Sequence, residues 1–77
     1  MATFTVTVNN EDFTSSDEHN CPDEETALKQ AIKAAISIAT DHVAAGKPFF
    51  GAEVRLEHSN KTIARYVVAV GASPLKG

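Results

Sequence analysis

The densest group of potential metal ligands in the chain is His19-Asn20-Cys21, with Asp17, Glu18 and Asp23 close by. A protein zinc site takes about four ligands at preset spacing, usually paired Cys or His. One His-x-Cys in a polar stretch falls short of that, and the segment reads instead as a solvated acidic loop leading into a helix cap. Cys21 as a nucleophile would need a neighbouring base and an electropositive niche. Its neighbours are acids, so an inert thiol is expected. Asp41 and His42 are adjacent in a helical stretch and point about 100° apart, which prevents a simple dyad. His42 lies near a helix C-terminus, where the dipole favours a structural histidine, and His58 ends a strand and is expected to be exposed. Gly46-Lys47 is no more than a fragment of a phosphate-binding loop, and there is no Gly-x-Ser-x-Gly or Walker-type sequence. The expectation is a non-enzymatic protein with no catalytic residues, no cofactor and no metal.

Composition narrows the partners. The chain has 77 residues, with 10 acidic against 7 basic side chains and a formal charge of −3. Neither sign forms a run, and phosphate backbones are bound by clustered Lys and Arg, so nucleic acid is not an expected partner. A single cysteine excludes an internal disulfide. The first residues lack a basic segment followed by an apolar core, so no secretory signal is expected. No segment has the length and apolarity of a membrane span, and the expected location is the cytoplasm. A chain this short builds a small core, and self-association would help to stabilise it.

The elements that must position any surface follow from periodicity. From Asp23 to Gly46, Leu28, Ala31, Ile32, Ala35, Ala39, His42 and Val43 recur on one helical face centred on Leu28, flanked by Ile36 and Ile38. Asp23 after Pro22 can cap the start, and Glu24 and Glu25 suit the first turn. Gly46 can take a left-handed cap, and Pro48 prevents continuation. The polar face mixes acids with two lysines and the apolar face has no Trp or Phe, unlike a membrane-surface helix. A wide stripe of this kind predicts a helix lying flat on a sheet.

Thr3 to Val8 alternates strictly, predicting a strand with Phe4, Val6 and Val8 inward. Glu11 to Asn20 is polar apart from Phe13 and is expected to be a loop or an irregular edge that tucks one ring under the helix. Phe49 and Phe50, between Pro48 and Gly51, are expected to plug the end of the core. Glu53 to His58 alternates again with Val54 and Leu56 inward. A three-residue turn, Ser59-Asn60-Lys61, leads to a last strand, Thr62 to Val70, that is apolar on both faces as a central strand would be. That turn places Ala64, Tyr66, Val68 and Val70 with Leu56 and Val54, and leaves Ile63, Val67 and Ala69 on the far face.

The predicted fold is therefore a single α+β domain over residues 1–70. One long helix covers a three-stranded antiparallel sheet, β-α-β-β, in the order first-last-second, followed by a mobile tail over 71–77. The two-sided apolarity of the last strand makes self-association, as a dimer or larger homo-oligomer, the leading expectation. Phe49, Phe50, Ile63, Val67 and Ala69 are the possible interaction surface, for another copy or for an unidentified protein partner.

With these pieces placed, the chain resembles a family of small uncharacterised bacterial proteins common in rhizobia and related soil bacteria, classed as a domain of unknown function. The resemblance lies in the opening strand, the acidic Asp17-Glu18, the helix entered through Pro22-Asp23 with Ala27, Ala31 and Ala35, and the ending Glu53-Val54-Arg55 through Ile63-Ala64-Arg65. Phe4 stands where that family has paired aromatics, and Ser59-Asn60-Lys61 replaces its Asp-Gly turn. The alanine-rich helix and the run Ala64 to Val70 also look like dodecin, which implies assembly and a flavin-type ligand stacked on Phe49, Phe50 or Tyr66. Dodecins use a tryptophan for that stacking, and this chain has none. The segment Asp23 to Pro48 is similar to the helix of HicB-type antitoxins, which implies a regulatory partner protein.

Overall fold

The computed structural model describes residues 1–75. The chain is α+β, with one helix on a four-stranded antiparallel sheet: β1 Ala2–Asn9, β2 Thr14–Cys21, α1 Glu24–Ala44, β3 Phe49–His58 and β4 Lys61–Gly71. The strands lie side by side in the order β2-β1-β3-β4. Two of the sequence expectations are corrected by this arrangement: the sheet has four strands, and the last strand stands at an edge.

The additional strand is β2. Its residues, Thr-Ser-Ser-Asp-Glu-His-Asn-Cys, carry no apolar alternation, yet every one of them from Cys21 to Thr14 pairs with β1 from Ala2 to Asn9. Side chains supply what propensity withholds. Thr3 donates to Asn20, Thr14 donates to Asn9, and Thr7 and Ser16 share a hydrogen bond of 2.9 Å. The hairpin turn is shaped by Asn10, whose side-chain oxygen accepts from the N–H groups of Asp12 and Phe13. Adding β2 before the helix also settles the strand order. The crossover now joins β2 to β3, which flank β1 and are antiparallel to it, and β1 fills the middle with Phe4, Val6 and Val8 buried. The hairpin partner of β3 can then lie only outside it.

The β3–β4 turn is also tighter than expected. Ser59 and Asn60 are both left-handed, at φ of 51° and 63°, and form a two-residue turn. The spacing is made up by a register irregularity at Leu56/Glu57, where Glu57 lies opposite Thr62 and Leu56 opposite Ala64. Ile63 is the extra residue, and the irregularity swings it toward the helix side, against the core. The expected far-face position of Ile63 is corrected accordingly, while Tyr66, Val68 and Val70 keep the face of Val54, Ala52 and Phe50 that the alternation predicts.

Asp23 caps α1 by accepting from Thr26 N–H at 2.8 Å. The same N–H, the Thr26 hydroxyl and the Lys29 charge hold its carboxyl below the ordinary carboxylate range. Beyond the C-terminal end, Gly46 takes φ of 104°, open to glycine at little cost. The buried ridge is Ala27, Ala31, Ala35 and Ala39. At about 100° per residue its centre lies roughly 40° from Leu28, toward Ile38 and His42. Small side chains let the helix approach the sheet closely, and the larger Leu28, Ile38 and Val43 close the flanks. Ile36, far round the helix, is left exposed.

The molecule is elongated, at 51 × 22 × 17 Å, with a radius of gyration of 14.0 Å. A compact chain of this length would have about 11–12 Å. Ala72 N–H bonds to Pro48 carbonyl at 2.8 Å, residues 72–75 have no regular structure, and the rest of the expected tail, Lys76 and Gly77, lies outside the described residues.

Candidate functional site

No group of three or more His, Cys, Asp or Glu among the described residues could hold a metal ion. His19 and Cys21 do share a face of β2, but both turn to the helix. His19 Nδ1–H donates to Gln30 Oε1 at 3.0 Å and the buried Cys21 thiol donates to the same oxygen at 3.4 Å. Both side chains pin the strand to the helix. His42 is likewise occupied: its Nδ1–H donates to the Ile38 carbonyl at 3.0 Å, and its ring lies parallel to Phe13 at 5.7 Å and tilted to Phe50 at 5.1 Å. Phe13, His42 and Phe50 thus close one end of the core, above a shallow cavity of about 120 Å³ reached by Lys47 and Glu11. His58 closes the other. It is half-buried, with its ring 4.8 Å from Phe4 and its Nδ1–H donating to the Thr3 carbonyl. It is not exposed as expected, because the β1–β3 register, with Thr5 opposite Glu57, brings it beside Phe4 on the face of Leu56 and Val54.

The five residues of the expected interaction surface separate into two faces and the interior. Phe50 is in the core and Ile63 is half-buried on the helix side. Phe49, Val67 and Ala69 share the opposite, open face of the sheet, where Val67 sits across from Glu53 and Ala69 across from Gly51. Phe49 is 64% exposed and Val67 81%. The Phe49 ring lies over Gly51, where an added Cβ would meet it at 3.1 Å, so a glycine in mid-strand is what lets the ring lie flat. The rest of this face is polar. Arg55 pairs with Glu57 at 3.1 Å, Arg65 pairs with Glu53, and Thr7 is buried between Arg55 and Ser16 in the register. Phe49 and Tyr66 lie on opposite sides of the sheet, so Phe49, Phe50 and Tyr66 do not converge on one aromatic pocket.

What the sequence reading did not anticipate is a row of apolar side chains along the β4 edge on the helix side. Leu28 meets Ile63, Ala64 and Tyr66 in a groove of about 330 Å³, whereas Gln30 faces β2. The flank of α1 that carries Leu28 therefore overhangs β4, and Ile32 and Ile36, one and two turns on, continue it. Ile36 and Tyr66 are each 45% exposed. Ile32 and Ile36 border a shallow surface depression with Lys29, Lys33 and Ser37. The signal was present in the sequence as Ile32 and Ile36 beside an alanine ridge, legible only once the ridge is known to be the buried centre.

The backbone completes the feature. β4 pairs with β3 on one side only, and from Tyr66 to Gly71 it carries no charge. Exposed strand edges in soluble proteins are normally blunted by charge, proline or a covering segment. Lys61 and Arg65 guard the first half of this edge alone.

No protein-family model matches the chain, and neither the curated proteins nor the solved structures contain a match. Among the described residues, no helix is long and apolar enough to cross a membrane.

Proposed function

We propose that this chain is a non-enzymatic interaction module whose working form is a homodimer joined edge to edge through β4. The observation that carries this reading is the uncharged edge Tyr66–Gly71, with exposed apolar side chains on both sides of it: Tyr66 and Ile36 toward the helix, Val67 and Ala69 toward the open face. Antiparallel pairing of two β4 strands would satisfy the free backbone groups and continue the sheet to eight strands. In a symmetric pair the opposed residues must point to the same face, so the two-fold axis passes through a residue and both helices lie on one side. With the axis at Val68, Tyr66 faces the second copy's Val70, and Val67 faces its Ala69.

The helix layer fits this arrangement. Because α1 lies over β3 and β4, two copies would sit two to three strand spacings apart, about 10–14 Å. Packed helices stand about 8–10 Å apart, so Ile32 and Ile36 from both copies have room to fill the interval. Sedimentation velocity of the untagged protein tests the reading against Val67→Lys. Twice the 8.2 kDa chain mass, falling to a folded monomer in the variant, is the expected result. A monomeric native protein, or an unchanged mass in the variant, overturns it.

A further inference from the structure

We infer that Phe49 is the stacking platform of a binding site for a neutral pyranose sugar, and that the cavity beside it takes the sugar's hydroxyl edge. Pairing of two β4 edges leaves this ring uncovered, since Phe49 stands one strand further in, on the open face. The site is therefore independent of the dimer. Two glycines clear the floor on which the ring lies. A Cβ added at Gly51 would meet Phe49 Cε1 and Cζ at 3.1 and 3.2 Å, and one added at Gly71 would meet Cδ2 at 3.7 Å. Glycine within a strand weakens it and marks a place where another group approaches the backbone closely. Here that group is the phenyl ring. One of its faces rests on β3 and β4, and with the residue 64% exposed the other face is open.

Beside the ring, polar groups of every kind are at hand. Phe49 and Gly51 line the cavity of about 120 Å³ together with Asn10, Glu11, Asp12 and Lys47. At about 30 Å³ per water that space holds about four, enough for the hydroxyl edge of a sugar and too little for its whole ring. Asn10 Oδ1 accepts from the N–H groups of Asp12 and Phe13 at 2.9 and 3.1 Å, which fixes the side chain and leaves its amide N–H groups as donors. Glu11, Asp12 and Lys47 border the same space with no ion pair between them among the described residues. An anion would meet the carboxylates and a cation the ammonium, whereas a neutral polyol uses donors and acceptors alike. Its weakly positive C–H groups suit the negative face of the ring. A shallow site also leaves one side of its ligand in water, which suits hydroxyl groups better than an aromatic surface.

The test is a titration of isotope-labelled protein, followed by amide NMR, with the methyl glycosides of glucose, galactose, mannose and N-acetylglucosamine, and with glycine betaine as a charged control. Saturable shifts of the Gly51 and Gly71 amides in the millimolar range are expected with at least one glycoside, whose ring C–H signals should move upfield under the phenyl ring. Phe49→Ala, at an exposed position outside the core, should weaken that binding at least tenfold with an unchanged melting temperature, and Phe49→Tyr should retain it. Silence from every glycoside, shifts with glycine betaine alone, or glycoside shifts that survive Phe49→Ala each overturn the site and leave the β4 edge pairing standing.

Discussion

The two edges of this sheet are built on opposite terms. β2 is polar throughout, with Asp17 and Glu18 exposed and Glu11 and Asp12 in the adjoining turn, and it is attached to β1 by hydroxyl and amide side chains and to α1 through Gln30. β4 ends in Tyr-Val-Val-Ala-Val-Gly, without a charge to repel a second strand. One edge is protected against pairing and the other is fitted for it, which is what a closed dimer requires: a single open edge per chain stops growth at two.

That contrast can be broken most severely by removing the protection. Replacing Asp17 with Thr and Glu18 with Val gives β2 a strand-forming, uncharged edge, and dimers could then join through it. Light scattering is expected to show open-ended growth, while the native protein stays at a fixed mass. Next in size, Ala35→Leu places three extra carbons in the ridge where α1 meets the sheet. Overpacking at about 1–3 kcal/mol is expected, read as a lower melting temperature, and raising the helix should also separate the Ile36 flanks and weaken the proposed dimer. Thr7→Val sharpens the comparison from the other side. It deletes the bond to Ser16, at about 0.5–1.5 kcal/mol, and amide exchange should quicken in β2 and remain unchanged in β4.

The smallest effect belongs to the helix cap. Because the Asp23 carboxyl is held below its ordinary value of 3.8, its contribution is complete above that pH and is lost as the pH falls through the lower folded value. Asp23→Asn keeps an acceptor at the cap and should melt with less dependence on acid over that window than the native protein. Thermal melts on either side of it provide the measurement.

The α+β class, the helix and three of the strands were legible in the sequence, because Phe4, Val6 and Val8, Val54 and Leu56, and the helical stripe follow periods that burial imposes. β2 was not, because an edge strand with both faces largely wet has no such period, and its stability comes from partners on β1 that are remote in sequence. The strand order failed with it. An apolar strand was read as central when it is a strand at an edge, and the same pattern arises from either cause. Of the candidate surface, Val67 and Ala69 could be placed by alternation. Ile63 could not, since a single extra residue beside Glu57 changes its face, and neither could Phe49 and Phe50, expected together to plug the core although Phe50 is buried and Phe49 lies outside.

The thiol between β2 and α1 has a use beyond holding that seam together. Cys21 is the chain's one cysteine and is fully enclosed, so a thiol reagent meets it only in molecules whose guarded edge has come away. When reclosure outpaces the reagent, the reaction rate is the rate of a free thiol multiplied by the fraction open. The protein therefore carries an internal stopwatch for the loosening of one edge, and timing it with and without dimerisation reports whether joining the far edge steadies this one.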